Sequence, residues 1–165
     1  MSQLPESAYW LALAYASGLN LARVKAMVSA WCLEAGQPLA KLFALSVEEL
    51  AARLGLTAQE GKQVIVAARH VPEQADWLGR LESDGTQLIT RADARYPQAL
   101  IHWLPPDMQP LLLFCRGDVG MLSQPSGAVL GARNARIETV GLARELAMLL
   151  AEEGLVVISG LGKGA

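Results

Sequence analysis

Apolar residues between positions 5 and 83 recur at helical spacing and are punctuated by start signals. Leu11, Leu13 and Tyr15 fall in a first segment that ends near Gly18, and Asn20 is placed to cap a second that carries Leu21, Val24, Met27, Val28 and Trp31. Ser46 with Glu49, and Thr57 with Glu60, form two capping boxes, in which a hydroxyl and a carboxylate satisfy orphan N–H groups at a helix start. Pro72 sits where a first turn tolerates proline, opening a helix through Trp77, Leu78 and Leu81 that Gly85 can close.

Beyond Gly85 the period changes. Gln87-Leu88-Ile89-Thr90 and Leu111-Leu112-Leu113-Phe114 are short apolar runs bounded by turn residues and predict strands. Tyr96-Pro97-Gln98-Ala99-Leu100 and a proline-rich crossing at Pro105, Pro106 and Pro110 lie between them. Ala128-Val129-Leu130 predicts a buried strand, Gly131-Ala132-Arg133-Asn134 a turn, and residues 139–152 a helix with Leu142, Leu146, Leu149 and Leu150 on one face. A second buried strand is expected at Leu155-Val156-Val157-Ile158, ending in Ser159-Gly160-Leu161-Gly162-Lys163-Gly164. A strand, helix, strand succession with continuous apolar strands is what a parallel βαβ unit requires. A right-handed connection would then bring both glycine-bearing loops to the same, C-terminal edge of the sheet. The expected organisation is α/β: a helical module over residues 1–84, then a partial parallel sheet over residues 85–165.

Composition narrows the class. With 52% hydrophobic and 18% charged residues in 165, the chain can bury a core. No apolar run reaches the ~18 residues of a membrane span, and the first twenty residues have no basic region or small-residue cleavage site, so a cytoplasmic location is expected. The net charge of −2 does not advertise a polyanion partner. A local cationic site still works in such a protein, because exposed charges beyond ~10 Å are largely screened at 0.1 M salt. Cys32 and Cys115 fit neither a disulfide framework nor a zinc spacing and read as buried thiols; His70 and His102 have no partner at ligand spacing, so no metal or cofactor is expected.

The candidate chemistry lies in the two strand-terminal loops, each of which combines small residues with one cation. Glycine permits positive φ values and close approach of a ligand, leaving successive N–H groups to face an anion. The helix after Gly131 would add its partial positive charge. Arg133 offers a planar fork for phosphate oxygens and Lys163 a compact point charge. Neither loop matches the dinucleotide fingerprint or the Walker pattern, and on spacing alone the glycines read equally well as plain turns.

Four motifs in fixed order add a resemblance. Tyr96-Pro97-Gln98-Ala99-Leu100, then Pro110 to Gly117, then Gly131-Ala132-Arg133, then Ser159 to Ala165 resemble the DNA-processing protein A (DprA/Smf) family. Gly162 stands where that family usually has alanine, and the usual Tyr-Gly after the arginine loop is missing. The resemblance implies that residues 1–84 correspond to a sterile-alpha-motif-like module and 85–165 to the first, truncated half of a Rossmann-like DNA-binding domain. It also implies that Arg133 and Lys163 bind the backbone of single-stranded DNA, with Gly131, Ser159, Gly160 and Gly164 shaping the site. Such proteins hand single strands to the RecA recombinase during natural transformation, form homo-oligomers at full length, and bind DNA without catalysing a reaction. An open parallel sheet ending at Ile158 would expose apolar faces and favour association.

Other readings compete. The resemblance extends to nucleotide-handling enzymes of the nucleoside-monophosphate phosphoribohydrolase type, whose Pro-Gly-Gly-x-Gly-Thr loop lies in later strands; residues 1–83 alone could serve as a protein-interaction scaffold. Gly18-Leu19-Asn20 and Gly55-Leu56-Thr57 are similar to helix-hairpin-helix turns, yet Asn20 replaces a glycine of that turn and the following helix needs its apolar face for packing. Trp10, Trp31, Trp77 and Trp103 read as core anchors and none lies in the glycine loops, so base stacking is not expected from them.

Overall fold

The helical start signals are realised as written. A computed structural model describes residues 4–132 and 134–160. Its helices are α1 (Glu6–Ala14), α2 (Leu21–Val28), α3 (Leu39–Leu42), α4 (Val47–Leu54), α5 (Ala58–Ala68), α6 (Val71–Ser83), α7 (Gln98–Trp103) and α8 (Ile137–Glu152). Its strands are β1 (Thr86–Thr90), β2 (Leu112–Arg116), β3 (Ser126–Ala128) and β4 (Val156–Ile158). The chain divides into two compact units, one running to Val119 and the other starting at Gly120.

In the first unit, Asn20 Oδ1 accepts from the Arg23 N–H at 2.8 Å and starts α2. Both capping boxes close: Ser46 and Glu49 start α4, and Thr57 and Glu60 start α5. Gly55 ends α4 with φ 61°, a left-handed conformation that glycine adopts without a Cβ penalty. α2 does not stop at Val28 but widens into a π-helical turn over Ser29–Glu34, which seats Trp31 in the core with its Nε1 donating to the Pro38 carbonyl at 2.9 Å. α3 is capped from a distance, since the Glu6 carboxylate accepts from the backbone N–H of Leu39.

α1 is the central element. Ala8, Trp10, Leu11, Ala12 and Leu13 are all buried, and the helix packs against α3, α5, α6 and β1. A helix apolar on nearly every side is one that its neighbours enclose. Val24, Met27, Leu39, Leu42, Leu50 and Val64 complete one buried cluster. Ala8, Leu11, Val71 and Leu78 form another beneath α6.

β1 and β2 pair antiparallel, with Leu88 opposite Phe114 and Ile89 opposite Leu113. The parallel arrangement expected over residues 85–165 is therefore confined to β3 and β4. Trp77 of α6 meets Phe114 of β2 edge to face at 5.6 Å, so this small sheet is held against the helices. Between the strands, the Tyr96 side chain is buried and its hydroxyl donates to the Pro110 carbonyl at 2.8 Å.

In the second unit, β3 and β4 pair parallel, Ser126 with Val156 and Ala128 with Ile158, on either side of α8. β3 begins two residues before the expected run, and Leu130, expected to be buried, is 75% exposed. α8 begins at Ile137, before the expected Thr139. Leu142, Leu146 and Leu149 are exposed, whereas Ala143, Ala147 and Leu150 are half-buried, so the more sheltered face lies one position round from the leucine stripe. Leu150 packs on Gly127, where an added Cβ would lie 3.0 Å from both leucine methyls.

Candidate nucleic-acid interface

The register of β3 and β4 decides which loops are neighbours. Parallel strands run in the same direction, so their C-terminal ends share an edge. Ala128 pairs with Ile158, and the Val129 N–H donates to the Ile158 carbonyl at 2.9 Å, one step beyond the ladder. The chain leaves this edge twice, through Gly131 after β3 and through Ser159 and Gly160 after β4. Gly131, Ala132, Asn134 and Gly160 are exposed, and Ser159 is half-buried.

Of the residues expected to form a phosphate site, the structure therefore brings the Gly131 loop beside Ser159 and Gly160. Arg133, Lys163 and Gly164 lie outside the described residues. Gly160 corrects one expectation: its φ is not left-handed, and among the described residues an added Cβ would meet nothing within 4 Å. Its value at this position is thus not an unusual backbone angle.

The segment leading into α8 adds a feature that the spacing did not disclose. Arg136 occupies the N-cap position with extended backbone, φ −69° and ψ 154°, and makes no side-chain capping bond. Arg136 therefore leaves the first-turn N–H groups of α8 uncapped by its own side chain, and such a terminus carries a partial positive charge that favours anions. Arg136 is exposed beside it, while Glu138 in the first turn offsets part of that charge. An arginine at an N-cap is poorly signalled in sequence, because serine, threonine, aspartate and asparagine mark that position.

Chemically, this edge offers exposed backbone, small side chains and the cation Arg136 at the adjoining helix start, a combination suited to contacting an anionic chain. Among the described residues, no group of three or more His, Cys, Asp or Glu is arranged to hold a metal ion, and no helix is long and apolar enough to cross a membrane.

Residues 87–165 match the family model described as DNA recombination-mediator protein A. That segment contains all four motifs, from the Tyr96-Pro97 run to the Ser159 loop. A search among curated proteins finds no match. The family match implies a role in DNA processing linked to recombination, and residues 87–165 are similar to the DNA recombination-mediator protein A family.

Proposed function

We propose that the C-terminal edge of β3 and β4 binds the sugar-phosphate backbone of single-stranded DNA. Arg133 and Lys163 are the cations of this site, and Gly131, Ser159, Gly160 and Gly164 are the small residues that let the strand come close. The observation that carries the reading is the coincidence of the family match with the segment in which both loops lie. The parallel register that makes the two strand tips neighbours supports it. Phosphate contacts made by a fork and a point charge position a strand without reading its bases, which fits a protein that accepts single strands of any sequence.

On this reading the chain is a binding protein without catalytic activity. It acts in the cytoplasm, within a Rossmann-like domain that follows a sterile-alpha-motif-like helical module. It hands single strands to the RecA recombinase in natural transformation and, at full length, works as a homo-oligomer. The test is fluorescence anisotropy of a labelled oligonucleotide with the whole chain over a salt series. Affinity is expected to fall with a log–log slope of about −0.7 per phosphate contact, and Arg133→Ala and Lys163→Ala each to flatten that slope. A slope unchanged in both variants overturns the proposal.

A further inference from the structure

The first unit holds a cleft of about 560 Å³ between α2 with its π-helical turn and the segment joining β1 to β2. Its size falls in the range of small-ligand sites, roughly 300–1,000 Å³. Val28, Leu33, Ile101, Pro106 and Leu111 give it an apolar wall, and Lys25 and Arg91 stand in it as cations.

Arg91 is held ready. Its Nε donates to Gln109 Oε1 at 3.1 Å, and its guanidinium lies 5.0 Å from the centroid of the Tyr96 ring. Gln109 is buried and cannot turn away, because its Nε2 donates to the carbonyls of Leu104 at 2.9 Å and Ile101 at 3.2 Å. No carboxylate among the described residues pairs with Arg91. A guanidinium fixed through Nε keeps its two terminal nitrogens for a planar oxyanion, and carboxylate fits that fork in bidentate fashion. Lys25 is less available, since its ammonium donates to the Asp107 carbonyl. Among the described residues, the Asp107 carboxylate is the one negative group on the wall.

We propose that this cleft receives the C-terminal end of a partner polypeptide, with the terminal carboxylate on Arg91 and apolar final side chains against Val28, Ile101 and Leu111. Charge complementarity selects the carboxylate, and the apolar wall selects the residues beside it. The Asp107 carboxylate and the Ser29 hydroxyl, which donates to Glu34 Oε1 and can still accept, each offer an acceptor to a peptide N–H, whereas an alkyl chain would desolvate them without return. Among the described residues, no aromatic ring lines the cleft on which a base could stack, which disfavours single-stranded nucleic acid there. The inference concerns the first unit and is independent of the strand-tip reading.

The test uses the whole chain and a fluorescein-labelled Gly-Ser-Gly-Leu-Phe peptide, once with a free C-terminal carboxylate and once as its amide. The acid is expected to bind about tenfold more tightly than the amide, as loss of a charge-assisted hydrogen bond implies. In Arg91→Gln the two peptides bind alike, at the level of the amide. Asp107→Asn, which removes the exposed negative charge, tightens the acid and leaves the amide unchanged. Equal binding of acid and amide to the unaltered chain overturns the proposal, as does displacement of the peptide by laurate or by an oligonucleotide at a lower concentration than by unlabelled peptide. If Arg91→Gln fails to fold, judged by its thermal melt, Asp107→Asn decides: unchanged or weaker acid binding overturns the proposal.

Discussion

Arg23 Nε lies 2.9 Å from Glu60 Oε1, and the same guanidinium donates through a terminal nitrogen to the Gly55 carbonyl at 2.5 Å. One side chain in the first turn of α2 thereby fastens the turn between α4 and α5, which begins 32 residues later in the chain. Both partners are partly exposed, so solvent screens the pair and its own contribution is about 0.2–1 kcal/mol. Arg23→Met also removes the donor to Gly55 and is expected to cost about 1 kcal/mol in total. A lower denaturant midpoint at unchanged m-value would register this; an unchanged midpoint would show the contact to be without consequence.

Glu60 also links stability to acid. The Thr57 backbone N–H is the largest influence holding its carboxyl below the ordinary carboxylate range, with the Thr57 hydroxyl and Arg23 adding to it against partial desolvation. Asp93 is lowered in the same direction, chiefly by the Arg95 side chain. A carboxylate with a depressed folded pKa contributes stability that is present above the unfolded value, ~4. That contribution is lost as pH falls through the folded value. Unfolding free energy should therefore drop below about pH 4, and Glu60→Gln should flatten the decline while keeping an acceptor for Thr57. A variant whose acid limb overlays that of the parent chain would disprove the assignment.

Cys32 behaves in the opposite sense. Burial, reinforced by the nearby Glu6 carboxylate, pushes its thiol from an ordinary value near 9.0 up to about 12. The thiolate is the nucleophile, so at pH 8 the native residue presents about a thousandfold less of it than the unfolded chain. Iodoacetamide followed by mass spectrometry should leave Cys32 unmodified in native protein and modify it rapidly in denaturant. Because the unfolded thiol ionises first, stability should also fall as pH rises above about 9. Prompt native alkylation would show that the side chain is reached by solvent as thiolate.

Gly127 permits the close approach of α8 to β3. An added Cβ would sit 3.0 Å from Leu150 Cδ1 and Cδ2, tighter than ordinary contact, and the side chain that must yield is a flexible leucine end. Gly127→Ala should cost about 1 kcal/mol, at the low end for overpacking. Gly127→Ala combined with Leu150→Ala should lose less than the sum of the single changes, since the second removes the atoms that the first offends. Additive losses would mean that the helix does not rest on the glycine.

Local signals were legible in the sequence, as was the parallel direction of β3 and β4, whereas the direction of β1 and β2 was not. Asn20, Ser46 and Thr57 announce helix starts because each bonds to an N–H three residues away, an interaction contained within its own segment. The runs around Ile89 and Leu113 reveal strands, but nothing in an apolar run states which way its partner points, and β1 and β2 turn out antiparallel. Leu130 illustrates the other failure: an apolar run of three marks neither its boundaries nor its burial, and the strand sits two residues earlier over Ser126–Ala128. Of the candidate site, the neighbouring strand tips followed from the βαβ pattern. The bare N-cap at Arg136 and the Arg91 cleft did not, because both arise from contacts that no periodicity encodes.

Tyr96 separates a hydrogen bond from the packing that surrounds it. Its ring is buried, its hydroxyl donates to the Pro110 carbonyl at 2.8 Å, and Arg91 lies over its face at 5.0 Å. Tyr96→Phe removes the donor and leaves the Pro110 carbonyl without it, while ring volume and the cation contact persist, so the expected loss is about 1–2 kcal/mol. Tyr96→Ala empties the site as well and should cost about 3–5 kcal/mol, as other buried aromatic truncations do. The difference between the two variants reports the ring, and the Phe variant alone reports the tie between the residue-96 segment and the start of β2. Should Tyr96→Phe unfold at the same denaturant concentration as the parent, the hydroxyl has found equal company in water, and the ring alone anchors the Tyr96-Pro97 segment.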